Sequence, residues 1–88
     1  MRDYDNLLSA GNKAQIEKLE ENSHKKGFDN IKLEYAHTRI KEEMAELNIE
    51  INGYPHSQTI DWQKVRREAA DVANFAHMII FKCDQELK

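Results

Sequence analysis

Lys41-Glu42-Glu43-Met44-Ala45-Glu46-Leu47-Asn48-Ile49-Glu50-Ile51-Asn52-Gly53-Tyr54-Pro55 is the stretch that decides the fold. It is the second half of an amphipathic pattern and the point where that pattern stops. Upstream and through it, Leu33, Ala36, Ile40, Met44, Leu47 and Ile51 follow at spacings of 3, 4, 4, 3 and 4. Apolar residues at that period line one face of an α-helix. Asn52-Gly53 followed by Pro55 ends a helix, because proline cannot continue it and glycine tolerates the turn that follows. A second apolar series resumes at Trp62 and continues through Val65, Ala69, Val72, Ala76, Ile79 and Cys83. The connection is short, so the two helices form an antiparallel hairpin. Ser57 or Thr59 is the expected N-cap of the later helix, which should run to the C-terminus and fray after Cys83.

Before the hairpin, a further helix is expected from about Asn12 to His24, with Ile16 and Leu19 on its apolar side. Lys25-Lys26-Gly27 suits its end, and Asp29 or Asn30 suits the start of the next. Residues 1–11 are weakly patterned, with Ser9-Ala10-Gly11 interrupting Leu7 and Leu8. The expected class is all-α. The hairpin and an N-terminal helix form one domain over residues 1–88, and a four-helix-type bundle is completed by self-association.

Composition agrees with this class. The chain has 88 residues, 33% charged and 40% hydrophobic, with a net charge of −3. A chain this short has a marginal core of its own. Ala69, Ala70, Ala73 and Ala76 let another helix approach closely, so a homodimer or homotetramer is expected. Net negative charge argues against a broad nucleic-acid surface. A single cysteine, Cys83, forms no intrachain disulfide and suits a reducing cytoplasm. The beginning of the chain has no apolar signal core, and no apolar run approaches a membrane span.

Two acidic quartets carry the chemistry. Glu43-Met44-Ala45-Glu46 and Glu68-Ala69-Ala70-Asp71 each place two carboxylates three residues apart, on one helix face. With the first stripe at zero, Glu43, Glu46 and Glu50 fall at roughly −80°, −140° and −100°, and Glu42 points outward at about 180°. Glu68 and Asp71 repeat the arrangement on the later helix, at roughly −60° and −120°. Two such pairs brought together form an oxygen-rich pocket suited to Mg²⁺. Glu34 and His37 offer one half of a di-iron Glu-x-x-His pattern, but they lie on the opposite border of the stripe.

These residues, with their flanks, resemble the MazG-type all-alpha nucleotide pyrophosphohydrolases. The family signature is Glu-x-x-Glu, a spacer, then Glu-x-x-Asp. Glu43 and Glu46 match its first half, Glu68 and Asp71 its second, and Leu47 to Arg67 the spacer. Glu68 to Ile79 resembles the second helix box. Lys18-Leu19-Glu20-Glu21-Asn22 and His24-Lys25-Lys26-Gly27-Phe28 resemble an upstream segment of small members, which carry a second glycine and a tryptophan where this chain has Lys26 and Phe28. The resemblance implies Mg²⁺-dependent cleavage of a nucleoside triphosphate to monophosphate and pyrophosphate. Glu43, Glu46, Glu68 and Asp71 would hold the metal, and Glu46 would act as general base. Beside the resemblance, Lys25 and Lys26, or Lys64, Arg67 and Lys82, are candidate phosphate contacts, Asn74 is a candidate contact for the nucleotide or a metal-bound water, and Trp62 and Phe28 are expected in the core rather than stacked on a base. The alternative is a non-catalytic helical interaction or nucleotide-binding module.

Overall fold

The computed structural model describes residues 3–22, 31–53 and 59–87. They form three helices, α1 (Asp3–Glu21), α2 (Leu33–Asn52) and α3 (Trp62–Glu86), with no strand among the described residues. The all-helical class and the three-helix order are as expected.

Helix α1 starts nine residues earlier than the pattern indicated and runs straight through Ser9-Ala10-Gly11. A glycine inside a helix costs about 1 kcal/mol relative to alanine. Good helix formers on both sides offset it, and Ala14 and Gln15, one turn on, are buried against the bundle. Helix α1 ends at Glu21, before the expected His24, and the expected stop at Lys25-Lys26-Gly27 and the cap residues Asp29 and Asn30 lie outside the described residues. Lys32 is the N-cap of α2 and contributes no side-chain hydrogen bond.

The stop at Asn52-Gly53 is where the sequence put it. Gly53 N–H donates to Ile49 O at 2.8 Å. Its backbone stays right-handed, with φ −82°, so conformational freedom is not why glycine stands there. Space is: a Cβ at this position would sit 2.5 Å from Ile49 O. The cap of α3 is Asp61, not Ser57 or Thr59. Asp61 Oδ1 accepts from Gln63 N at 3.1 Å and from Lys64 N at 3.2 Å. The helix then continues three residues past Cys83, to Glu86.

Helix α3 is the centre of the arrangement. Gln15, Lys18 and Glu21 of α1 meet Asn74, Asp71 and Arg67 in reverse order, so α1 runs antiparallel to α3. Arg39 lies over Phe75, whereas Glu43, one turn on, meets Glu68 and Asp71, so α2 is antiparallel to α3 as well. The close contacts use small residues: Ala14, Ala36 and Ala70 are buried.

The phase of α2 departs from expectation. Ala36 and Glu43 are its buried residues, with Ile40 and Leu47 half-buried. Leu33, Met44 and Ile51, which belong to the same apolar stripe, are exposed. The inward face is therefore rotated by roughly 60° toward the acids. Glu43 lies near the middle of the helix interface instead of at its edge. Trp62, expected in the core, is 70% exposed.

Candidate metal centre

Glu43 of α2 and Glu68 and Asp71 of α3 converge. One carboxylate oxygen from each lies within 4.8 Å of the others. The rotation of α2 makes this possible, because it directs Glu43 across the α2–α3 contact. Glu43 is 5% exposed, and Glu68 and Asp71 are half-buried. Glu43 Oε2 and Glu68 Oε2 are buried with no hydrogen-bond partner among the described residues. A buried carboxylate oxygen without a partner is costly.

The electrostatics follow from burial and crowding. Burial pushes the Glu43 carboxyl up from 4.5 to about 7, and the neighbouring Glu46 and Asp71 charges push the same way. Glu68 is raised for the same two reasons, burial first and Glu46 second. Asp71 is also raised by burial, although Lys18 pulls against it. Glu46 stands outside the three-acid group and is exposed, one turn beyond Glu43 at the rim. It bears on both Glu43 and Glu68 without being enclosed with them. Glu42 and Glu43 separate as their helical directions required: their side chains are 52% and 6% exposed.

Two basic residues complete the centre, and neither is assigned a role at the acids by the spacing of the two quartets. Arg39 Nη2 donates to Glu43 Oε1 at 2.7 Å, and Nη1 donates to Glu42. Its guanidinium lies 5.4 Å from the centroid of the Phe75 ring. Phe75 and Glu42 hold Arg39, and Arg39 occupies Oε1 of Glu43. The other oxygen, Oε2, is left unbonded. On α1, Lys18 Nζ is 3.5 Å from Asp71 Oδ2, with both side chains mostly buried. Arg39 had a sequence signal, since it stands four residues before Glu43 on one helix. Lys18 had none, because α1 and α3 are far apart in the chain.

Other anticipated residues fall elsewhere. Asn74 is buried and bonded to α1: it accepts from Gln15 Nε2 and donates to Gln15 O, both at 3.2 Å. Lys25, Lys26 and Phe28 lie outside the described residues. Arg67 makes a two-pronged pair with Glu21 at 2.8 and 2.9 Å, and Lys82 pairs with Glu86 at 3.4 Å. Glu34 and His37, the di-iron half-pattern, are both exposed and apart from the acids. No helix among the described residues is long and apolar enough to cross a membrane. Compared with known proteins, the chain matches no family profile, no curated protein and no solved structure.

Proposed function

We propose that the protein is a Mg²⁺-dependent nucleoside triphosphate pyrophosphohydrolase of the MazG type. The carrying observation is the convergence of Glu43, Glu68 and Asp71 oxygens within 4.8 Å, two of the acids keeping a buried oxygen unbonded. That donor set fits a hard divalent cation, which prefers carboxylate oxygen. Glu43, Glu68 and Asp71 would hold it, with Glu46 reaching in from the rim. Mg²⁺ so bound would neutralise the triphosphate and make the α-phosphorus and a nearby water more reactive.

The chain's own residues would do the rest. Arg39 fixes the Glu43 carboxylate, and Lys18 fixes that of Asp71. Glu46 is exposed and crowded by other acids, and it takes the proton of the attacking water on a carboxylate oxygen. The water oxygen bonds to the α-phosphorus, the α–β bridging bond breaks, and pyrophosphate leaves with its electron pair. Most of the catalysis is positioning and charge neutralisation. Incubating the purified chain with each nucleoside triphosphate and Mg²⁺ tests the reading: pyrophosphate should be the first product from at least one. Orthophosphate as the sole first product rejects it.

A second reading has its own support. Lys18 and Arg39 already neutralise two of the acids, as they would in a non-catalytic helical module. The same assay separates the two, since such a module releases nothing.

Self-association belongs to the proposal. The chain exposes 7137 Å², against about 5,400 Å² for a compact monomer of its size. A second copy covering Leu33, Met44 and Ile51 of α2 would complete the bundle, as a homodimer or within a homotetramer. A cytoplasmic setting goes with this reading, as Cys83 is a free, exposed thiol.

A further inference from the structure

Helix α3 carries a second polar line that starts at the acids and leaves them. Asp71, Asn74 and His77 are three residues apart, so they stack along one side at about 4.5 Å of rise per step. Lys18 and Gln15 of α1 meet the first two. Gln15 also bonds to His77 Nδ1 through its amide nitrogen. The line runs into a cavity of about 330 Å³ between α1 and α3. Its floor is Gln15, Asn74 and His77; Ile16, Met78 and Phe81 are among its walls.

The floor is built and only partly used. Gln15 and Asn74 are 7% and 6% exposed, and each engages the other twice. Gln15 Nε2 donates to Asn74 Oδ1 and approaches His77 Nδ1, which occupies both amide hydrogens. Gln15 Oε1 is then left as an acceptor with no hydrogen bond among the described residues. With Nδ1 engaged by Gln15, the other ring nitrogen, Nε2, is left for a further hydrogen bond, and His77 is an exposed residue. Gln15 and His77, one with a spare acceptor and one with a spare ring nitrogen, line the same groove as Ile16, Met78 and Phe81 and together could pair with a nucleobase edge. The volume lies in the range of small-ligand pockets, which are apolar with a few convergent polar groups.

We propose that this cavity is the nucleoside-binding pocket of the acidic centre. The base lies between Ile16, Met78 and Phe81, with its polar edge on Gln15 Oε1 and His77 Nε2. Asn74 holds Gln15 in place. Asp71 joins the two sites, because it faces Lys18 of α1 and Glu43 of α2 alike. A nucleotide seated this way directs its phosphates toward Asp71. The assignment rests on the pyrophosphohydrolase reading, and it adds that base recognition comes from the α1–α3 groove.

Nuclear magnetic resonance titration of the full chain without Mg²⁺ tests the pocket apart from the chemistry. The four 2′-deoxynucleosides are the probes. At least one should give saturable shifts in the Gln15 and Asn74 side-chain amides and the His77 ring. His77→Leu, at an exposed position, and Gln15→Met should each weaken that binding about tenfold, the effect of losing one hydrogen bond. The same variants should raise KM for the preferred triphosphate by a similar factor and leave Mg²⁺ affinity unchanged. Shifts on another face, no shifts at millimolar nucleoside, or variants that bind like wild type overturn the pocket. So does protein concentration alone producing the same shifts, which would assign the groove to a second copy. Pyrophosphate release without nucleoside binding rejects the pocket and leaves the activity standing. Nucleoside binding without pyrophosphate release supports the pocket and rejects the activity.

Discussion

Arg39 holds one oxygen of Glu43 and leaves the other toward Glu68 and Asp71. A partner that orients a metal ligand in this way is typically worth ten- to a hundredfold in metal affinity. Arg39→Met should therefore weaken Mg²⁺ binding, measured by titration calorimetry, by about tenfold, and Arg39→Lys should recover part of it. The adjacent acids differ more sharply. Glu42→Ala should keep activity within about threefold, since exposed pairs contribute little. Glu43→Gln should lose activity by roughly a hundredfold or more, because it removes a ligand charge. Equal losses would mean that the α2 phase is wrong. Asp71 has a partner that its sequence neighbourhood hid, Lys18 of α1. Burial nonetheless keeps its carboxyl above the usual range. Asp71→Asn should thus melt no earlier than wild type without metal, yet gain less from millimolar Mg²⁺. A markedly lower melting temperature for the metal-free variant would assign Asp71 to structure.

At the level of helices, the sequence showed more than it showed of their caps. The 3-and-4 spacing gave α2 and α3, and the Asn52-Gly53 stop is where α2 ends. Ser57 and Thr59, just before Asp61, are caps of equal standing by residue type, so the sequence alone does not single out Asp61. Gly11 marks a break by propensity, but flanking propensity and the docking of Ala14 and Gln15 outweigh it. The rotation of α2 was not legible. Periodicity finds the apolar stripe, but packing against α3 decides which border of the stripe turns inward. Here it chose the acidic border, which brings Glu43 to Glu68 and Asp71. Glu46, counted as an equal ligand from its spacing, stays at the rim for the same reason. The placement of Glu43 gives the helix pair a pH dependence. The folded chain holds a proton on Glu43 up to about pH 7, whereas the unfolded chain releases it near 4.5. Metal-free stability should be fully present below about 4.5 and fall as pH rises through 7, by up to about 3 kcal/mol. Thermal melts from pH 5 to 8 measure this, and Mg²⁺ should flatten the fall at the alkaline end. A metal-free melting temperature that rises over that range would contradict the burial of Glu43.

The whole molecule is thin for its length. Its radius of gyration is 14.7 Å, against about 12 Å for a compact domain of this size. Its buried apolar residues are alanines, among the described residues. A stable dimer buries about 800 Å² per partner, and the excess exposed surface is sufficient for that. Light scattering at micromolar concentration should give at least twice the monomer mass; a purely monomeric species would count against assembly. The three acids lie between α2 and α3, and the groove proposed for the nucleoside lies between α1 and α3. The proposed hydrolysis depends on the three acids holding a cation. Mn²⁺ takes the same oxygen ligands as Mg²⁺ and broadens nearby nuclear magnetic resonance signals. Titrating it into the isotopically labelled full chain locates the site directly. The account predicts that signals of Glu43, Glu68 and Asp71 broaden first, that those of the exposed Asp84 and Glu86, at the far end of α3, persist, and that excess Mg²⁺ reverses the effect. Broadening spread evenly over the surface acids, or confined to residues away from the α2–α3 contact, would contradict it.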